Sequence, residues 1–473
     1  MKNKPRTLES FSDLPDQVAH HILSFLTIRD LTRFGSTSKK CRELYLSAPS
    51  LNFKVDASSR RFMTKRAKLL NSVERYLLQR GNNPILCFRV SWVFHESERA
   101  RLCDEQFRFV SWIQNAVRCN VEVIQLVFDQ SHTAVLPVRK FPLPSCIWIS
   151  TSLRSLVVVS SFVIIQVPSF SFSCKLYSLK LRGVIIEDEN FCKWISCSCK
   201  CLEELSLENV RGEGLKNFTI ESSSLQSISL LNSGFCHVNV LCEKLEDLYV
   251  NCRIYSSGTS MNISAPNLKH LRWWGNLMNH LNVGNLMRLE KVELFLSPKV
   301  DDFDSLLEVL SGIRRTKVLI LDGNTMAMFK EGSMPLPLDE ISNLGIHIYS
   351  LKDVLVPAMV SLLRGMTNLN TLWITSANLP TYMHFPKVDA SLFNMGFWIS
   401  QRLALVSQLR EVRIELANYG TNEFELARYL LEHAHNLKKM VILYPPWQSH
   451  LLKKIIRKKI ASTARLVLQE KKK

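Results

Sequence analysis

The chain has 473 residues, enough for two or three domains or one extended repeat array, with 46% hydrophobic and 22% charged residues, as in ordinary folded proteins. Its 60 Lys and Arg against 42 Asp and Glu give a net charge of +18, which favours an acidic partner, nucleic acid, an acidic lipid surface or a phosphorylated ligand. The most apolar run, residues 155–167, is too short to cross a bilayer, which takes about 20 apolar residues.

The amino terminus and the cysteines indicate the compartment. The opening "MKNKPRTLES" has no apolar run behind its charges, so we expect no signal peptide. The 13 cysteines are odd in number and irregularly spaced, which favours free thiols in a reducing compartment. We therefore expect a cytoplasmic and/or nuclear protein without a membrane partner.

The first predicted elements are three short helices within residues 14–45. Pro15 suits the first turn of a helix, and Ser12 or Asp13 can cap its free amides. Thr27 and Asp30 can cap a second helix, and a third begins near residues 36–38. The first helix carries a predicted apolar stripe at helical spacing, formed by Val18, Ile22, Phe25 and Leu26 and widened by Leu14 and Leu23.

This segment, "LPDQVAHHILSFLTIRDLTRFGSTSKKCREL", resembles an F-box. The family pattern is Leu-Pro, an apolar residue, Ile-Leu, a further Leu, Asp-Leu and a basic-Arg-Leu ending. Plant members usually carry tryptophans near the end, where this chain has Cys41 and Tyr45. The matching positions are Leu14, Pro15, Val18, Ile22, Leu23, Leu26, Asp30, Leu31, Arg42 and Leu44.

The resemblance implies docking on the Skp-type adaptor of a cullin-RING ubiquitin ligase. A module of this size lies near the lower limit for independent folding and should need a partner over its apolar surface. The alternative is a helical cap on a larger domain. The adjacent His20 and His21 point about 100° apart on a helix, so polar surface is favoured over a metal site. The predicted adaptor-binding residues are Leu14, Pro15, Val18, Ile22, Leu23, Leu26 and Leu31.

The long middle of the chain is a leucine-rich repeat with the pattern L-x-x-L-x-L. Successive clear copies start 20 to 26 residues apart in the printed sequence. The clear copies start at Leu153, Leu176, Leu202, Leu225, Leu245, Leu268 and Leu289, and weaker ones at Val121, Thr316, Ile341, Leu369, Leu409 and Leu437.

Strand alternation assigns a direction to each position of the repeat. The fourth and sixth residues point into the core, and the third, fifth and seventh point out of a parallel sheet. Since one repeat cannot bury its apolar face alone, neighbours must stack. We predict an α/β fold: an N-terminal three-helix F-box, then a curved leucine-rich-repeat solenoid with a parallel concave sheet.

The outward positions of three successive repeats predict a target-binding patch. Because adjacent strands lie about 4.8 Å apart, Tyr249, Arg272, Trp274 and Phe295 should touch one another. Aromatic residues and arginine are the types that most often anchor interfaces. The alternative is that these rings pack beneath a loop or the C-terminal segment.

The C-terminal part carries a second resemblance. "LREVRIELANYGTNEFELARYLLEHAHNLKKMVILYPP" is similar to the FBD segment of plant F-box proteins: a strand, a turn containing Gly420, an acidic helix and a second strand. Residues 388–408 are predicted to form a helix that replaces about one repeat. The basic tail is predicted to be a solvated terminal helix, with nuclear localisation or binding to an acidic surface as the alternative. The predicted domains are 1–50 F-box, 51–84 helical linker, 85–400 repeats, 401–445 FBD-like segment and 446–473 basic tail.

Motifs of catalysis are not found in the sequence: it has no Gly-rich phosphate loop, G-x-S-x-G or H-E-x-x-H. Four cysteines lie within ten residues, but Cys-x-Cys-x-Cys is not a usual zinc spacing, and buried packing is favoured. These are Cys192, Cys197, Cys199 and Cys201. We expect no enzyme, no cofactor and no metal.

Three functions remain open on sequence grounds. The first is a substrate-recognition subunit of a Skp–cullin–F-box ubiquitin ligase, with an unidentified target protein. The second is a small-molecule, hormone-like co-receptor on the same scaffold, although no run of basic residues recurs at one strand position. The third is a basic nucleic-acid-binding repeat protein, which salt-dependent binding would distinguish. We do not expect nucleic acid to be the main partner.

Overall fold

The computed structural model describes most of the chain, in two compact units, Met1–His237 and Val238–Lys473. The described residues are 11, 14–54, 62–94, 99–130, 139–169, 173–212, 217–252, 258–284, 286–297, 303–329, 337–376, 393–416, 422–446 and 464–471. In these ranges no helix is both long enough and apolar enough to pass through a membrane.

The first unit opens with the three predicted short helices, α1 (Asp16–Leu23), α2 (Ile28–Gly35) and α3 (Lys39–Ser47). Thr27 caps α2 by accepting a hydrogen bond from the Asp30 amide, as predicted, and Ser38 caps α3 in the same way. The remaining elements are β1 (Ser50–Lys54), α4 (Phe62–Arg80), β2 (Cys87–Phe94), α5 (Arg99–Arg118), β3 (Val123–Gln130), β4 (Phe141–Pro142), β5 (Ser155–Val159), β6 (Val163–Ile165), β7 (Ser178–Arg182), β8 (Ile185–Ile186), α6 (Asn190–Ser198), β9 (Glu204–Glu208), β10 (Arg211–Gly212), β11 (Asn217–Ser222) and β12 (Ser227–Leu231).

Apart from β11, the strands of the first unit form two sheets. The main sheet is parallel, in the order β1-β2-β3-β5-β7-β9-β12. A small parallel sheet of four strands, in the order β10-β8-β6-β4, supplies a second strand to several repeats.

The second unit continues the same alternation. Its main sheet has the order β14-β16-β18-β19-β20-β21-β22-β23-β24, and β13, β15 and β17 belong to a smaller sheet. The elements are β13 (His237–Cys242, beginning at the boundary), β14 (Asp247–Cys252), β15 (Ser260–Ser264), β16 (His270–Gly275), β17 (His280–Val283), β18 (Lys291–Leu296), α7 (Phe303–Ile313), β19 (Val318–Asp322), α8 (Gly323–Ala327), β20 (Asn343–Ile348), α9 (Val356–Arg364), β21 (Thr371–Ser376), α10 (Met395–Ser400), β22 (Glu411–Glu415), α11 (Asn422–His433), β23 (Lys439–Tyr444) and β24 (Arg465–Glu470).

The predicted leucine-rich-repeat fold is confirmed strand by strand. Every predicted copy of the repeat, clear or weak, is followed two residues after its start by a main-sheet strand. In β14, for example, Leu248 and Val250 are buried while Asp247 is exposed and Tyr249 half-buried. The inward and outward assignments therefore follow from the period of two in a strand.

The chain leaves several strands by the same turn, at the eighth position of the repeat. Gly183, Asn209, Asn232 and Gly275 all have positive φ there, a conformation that glycine and asparagine tolerate best. At Gly275 a Cβ atom would also overlap the carbonyl oxygen of Cys252. In these repeats the turn follows directly after the seventh position, which is therefore the last outward-facing residue of the strand.

Two terminal strands differ from the sequence-based expectation. Residues 51–84, predicted as a helical linker, contain most of β1 as well as α4, and β1 pairs with β2 at the edge of the sheet. Residues 465–470, predicted as part of a solvated helix, form β24 on β23. The β1 segment alternates apolar and polar residues, whereas β24 has three consecutive apolar residues; in both, pairing with a neighbouring strand satisfies the backbone groups.

The insert at 388–408 is less helical than predicted in its described part. Residues 388–392 lie outside the described residues. The described remainder forms only the short helix α10 and a 3₁₀ turn, Ala404–Ser407. Trp398 on α10 is fully buried and stacks on Tyr429, so the short helix is held by tertiary packing.

A buried ion pair fixes the long helices of the first unit. The Arg66 guanidinium on α4 makes two hydrogen bonds to the Glu105 carboxylate on α5, and it also lies 4.3 Å from the Trp92 ring centre. The Trp92 indole N–H donates to Glu105 at 3.0 Å. A buried charge pair of this kind is tolerated because the two groups make direct hydrogen bonds to each other, and losing either partner would be costly.

Candidate functional site

The first candidate surface is the exposed apolar face of α1 and the turn after it. The exposed fractions are 45% for Val18, 41% for Ile22 and 74% for Phe25. The Phe25 ring packs edge-on against His21, with ring centres 5.1 Å apart. We call Val18, Ile22 and Phe25 the α1 surface; its three exposed apolar side chains lie within eight residues, which makes it a candidate surface for a protein partner.

Two of the predicted adaptor-binding residues are buried inside the F-box: Leu23 is 1% exposed and Leu31 is 2% exposed. They offer almost no surface to a partner in this structure, and their role in adaptor binding stays a prediction. Leu23 is buried because α1 has two apolar faces: Ala19 and Leu23, four residues apart, form the inner one. Val18 and Ile22 have the same spacing and lie on the outer face.

The other predicted adaptor residues stay accessible. Pro15 is exposed, and Leu14 and Leu26 are half-buried. Their role in adaptor binding stays a prediction. Phe25 was placed on the stripe by its spacing but was not chosen as a contact, although it is the most exposed ring of the module.

The F-box is fastened to α4 by buried polar contacts at the end of α3. The Tyr76 hydroxyl donates to the carbonyl of Tyr45 at 3.1 Å. Arg80, 2% exposed, donates to the carbonyls of Ala48 at 2.8 Å and Pro84 at 2.8 Å. Burial raises the pKa of Tyr76 to about 12. These bonds join the helical module to the first strand of the repeats.

The second candidate surface is on the outward face of the second unit. The Trp274 ring meets Tyr249 at 5.8 Å and stacks on Phe295 at 5.2 Å, measured between ring centres. The Arg272 guanidinium lies 5.4 Å from the Tyr249 ring centre. The predicted contact among these four residues, which we call the aromatic patch, is therefore present; their role in target binding stays a prediction.

Charged neighbours hold the patch in place. Glu293 lies between Arg272 at 2.9 Å and Lys291 at 2.7 Å. Burial acts to raise the pKa of Glu293, but the two cations outweigh it, so the pKa lies below its usual value. Glu293 therefore stays ionised and orients Arg272 beside Tyr249.

His347 extends the patch on one side and was missed in the sequence. Its ring lies 5.4 Å from that of Phe295, and its Nδ1 is 2.9 Å from the Thr375 hydroxyl. Burial lowers the pKa of His347, against the opposing effect of nearby carboxylates, so the neutral imidazole is favoured. The available signal was its seventh position in the copy starting at Ile341, the same position that Trp274 and Phe295 hold in theirs.

The cysteines and histidines that raised the question of a metal are spread through the first unit. Cys199 is buried against Cys174, with the two sulfur atoms 3.1 Å apart, whereas Cys197 is exposed. His20 reaches the Ser47 hydroxyl at 3.0 Å. Among the residues that the structure describes, no three His, Cys, Asp or Glu side chains converge as metal ligands would.

Comparison with known proteins agrees with this architecture. Residues 11–44 match the F-box domain, and residues 109–306 match the repeats described as "FBD-associated F-box protein At5g56370, LRR repeats". Among relatives from Arabidopsis thaliana, F-box/FBD/LRR-repeat protein At5g22660 is 24% identical over 91% of this chain and 89% of its own length. FBD-associated F-box protein At5g27750 is 22% identical over 93% of this chain and 94% of its own length.

These findings define the class: an F-box module followed by leucine-rich repeats. More narrowly, the chain is similar to plant F-box/FBD/LRR proteins over most of its length, which agrees with the resemblance seen in the sequence. The pairing of an F-box with repeats suggests a substrate-recognition adaptor, and proteins of this family are generally non-catalytic. F-box domains generally bind Skp1-type adaptors.

Proposed function

We propose that this chain is the substrate-recognition subunit of a Skp–cullin–F-box ubiquitin ligase. The F-box binds the Skp-type adaptor and, through it, the cullin. The outward face of the repeats binds a target protein. The contribution of the chain to ubiquitin transfer is proximity, because holding two reactants together replaces a bimolecular encounter.

The observation that carries this proposal is the α1 surface. Ile22 and Val18 have nearly half of their area exposed, and Phe25 nearly three quarters, on a module with little core of its own. Covering these side chains removes apolar area from water, and each Å² removed stabilises the complex by about 25 cal/mol. A partner protein with an apolar groove of matching shape could bury these three side chains.

The contacts behind the F-box support the same reading. A receptor that works through proximity needs a stiff connection between its adaptor-binding and repeat modules. Tyr76 and Arg80 provide one within the first unit, because they hydrogen-bond the last turn of α3 and the loop before β2. The bonds to Tyr45 and Ala48 are buried, so solvent competes little for them.

Affinity purification from plant cells with the proteasome blocked tests the proposal. The wild-type chain should retain the Skp-type adaptor, the cullin and a ubiquitinated target together. The Leu14→Ala/Pro15→Ala variant should lose the adaptor and cullin while still retaining the target. A wild-type preparation that contains a target but neither adaptor nor cullin would overturn the proposal.

A further inference from the structure

We propose that the outward face of β22, β23 and β24 binds an acidic peptide segment of the target protein, rich in Asp and Glu. The inference rests on the proposed function, since it names the chemistry of the target. Five exposed cations cluster here, and we call them the cationic end: Arg410, Arg413, Lys438, Lys439 and Arg465.

Elsewhere in the repeats, five cations at equivalent positions sit beside a carboxylate of the neighbouring repeat, whereas Arg89 and Lys317 have no ion pair among the described residues. Such pairs occur in both units, at the position before the strand and at the outward positions. They are Arg154–Glu122 at 3.5 Å, Lys180–Glu204 at 2.7 Å, Arg182–Glu208 at 3.3 Å, Lys269–Glu246 at 2.9 Å and Arg272–Glu293 at 2.9 Å. Lateral pairing is thus common for a cation on these sheets.

The cationic end differs because several cations without such a pair lie on neighbouring strands. None of its five members has an ion-pair partner among the residues that the structure describes. Lys439 is directly beside Arg465 in the strand register, and the Lys438 amide donates to the Arg410 carbonyl, which makes those residues neighbours too.

Neither of two nearby carboxylates, Glu411 and Glu415, forms an ion pair with the cationic end in the described part of the chain. Glu411 is beside Lys439 in register but makes no ion pair with it within the described ranges. Glu415 is already bound by Lys471, at 2.7 Å. Like charges on neighbouring strands destabilise a sheet. An anionic partner would relieve this repulsion, which gives binding a driving force beyond simple attraction.

Apolar groups among the cations indicate a peptide as the occupant. Arg413 lies in register between Trp373 and Val441. The Trp373 indole lies across Gly345, where a Cβ atom would overlap the ring. Acidic side chains can therefore meet the cations while an apolar residue of the same peptide rests beside Trp373.

The size of the cluster also favours a peptide over nucleic acid. Three strands at about 4.8 Å spacing cover about 10 Å. Single-stranded nucleic acids are bound along sites of at least about four nucleotides, with several bases stacked on aromatic rings. The described cluster has one such ring, Trp373, and suits a short acidic segment.

Binding of a fluorescent glutamate-rich peptide to the full chain, measured by anisotropy, tests the inference. The wild-type protein should bind it, and binding should weaken as salt rises, because exposed charges are screened. The Arg413→Gln/Lys439→Gln/Arg465→Gln variant should bind about tenfold more weakly or worse. The melting temperature of this triple variant should stay the same or rise, because the repulsion between neighbouring cations has been removed.

Two controls make the result decisive. Lys180→Gln/Arg182→Gln removes two outward cations that are already paired, and it should leave peptide binding unchanged. An oligonucleotide of equal charge should bind more weakly than the peptide. Absence of peptide binding by the wild type, equal binding by the triple variant, or tighter oligonucleotide binding would each overturn the inference.

Adaptor co-purification is measured on the same proteins. If the adaptor is retained but the acidic peptide is not bound, the inference fails and the proposed function stands. If the peptide binds but the adaptor does not, the proposed function fails and the cationic end remains a peptide site.

Discussion

The indole of Trp274 stacks on the ring of Phe295, with centres 5.2 Å apart and planes 25° from parallel. The two residues are direct partners in the register of β16 and β18, one repeat apart in sequence. Trp274 remains 37% exposed, so the stack belongs to the surface and not to the core. Its inner neighbour Trp273 is fully buried and donates its indole N–H to the Asn276 carbonyl at 3.0 Å.

Changing Tyr249, Arg272, Trp274 and Phe295 together to Ala should remove the target from the purified complex. Stability should fall only modestly, because an aromatic pair contributes about 0.5–1.5 kcal/mol beyond its burial and the patch faces solvent. Affinity purification reports the target, and thermal unfolding reports the fold.

Tyr177→Ala provides the matched control, since Tyr177 is another exposed ring, 39% accessible, in the first unit. It should leave target capture unchanged. Unaltered capture by the fourfold variant would move the recognition surface away from the aromatic patch. Complete unfolding of that variant would show that the rings support the core.

Arg80 should be a stability determinant of the first unit. Arg80→Ala leaves the carbonyls of Ala48 and Pro84 without their buried donor, and we expect a loss of about 3 kcal/mol in the free energy of unfolding. Urea unfolding followed by tryptophan fluorescence measures it.

Arg80→Lys keeps the charge but not the planar fork of donors, so it should recover only part of the lost stability. If the urea midpoint of unfolding is the same for Arg80→Ala and the wild type, the connection between the F-box and the repeats does not depend on these bonds.

Glu423 should make the second unit's stability depend on pH. It is 1% exposed and accepts a hydrogen bond from the Leu351 amide at 2.6 Å, and burial raises its pKa. A raised pKa in the folded state stabilises the fold at pH below the unfolded pKa, and this contribution is lost as pH rises through the folded pKa. At neutral pH the ionised side chain therefore costs stability.

Glu423→Gln removes that charge and keeps an oxygen that can accept from Leu351. The variant should be more stable than the wild type at about pH 7, and the difference should shrink towards about pH 4. Melting curves across this range measure it. Glu425→Gln is the control: Glu425 is paired with Arg428 at 3.2 Å, and its loss should give no such gain. A stability difference between Glu423→Gln and the wild type that grows as the pH falls would contradict this prediction.

The repeat region could be predicted closely because its pattern is local. A leucine at the start of each copy and alternation afterwards fix both the strand and its inward face, so contact among the residues of the aromatic patch followed from register alone. β24 was not predicted as a strand. It forms a strand by pairing with β23, and no local sequence pattern indicates that pairing.

The F-box illustrates the other limit. Helical spacing placed Leu23 and Ile22 on one wide stripe, but they are adjacent residues about 100° apart, and the fold separates them into inner and outer faces. Which of two apolar faces is buried depends on where α2 and α3 pack. The cationic end could not be predicted from the sequence either. Whether a cation has an ion-pair partner depends on which side chains the neighbouring strands place beside it.

The most direct test of the central claim is the affinity of the chain for a Skp-type adaptor when the α1 surface is changed. Ile22→Glu/Phe25→Glu places two charges on exposed positions, where the fold tolerates them. Leu78→Glu is the matched control, since Leu78 is 81% exposed on α4, outside the F-box. With co-expressed adaptor, the wild type and Leu78→Glu should co-purify with it at equal stoichiometry, and Ile22→Glu/Phe25→Glu should not. Equal adaptor recovery with all three proteins would contradict the account.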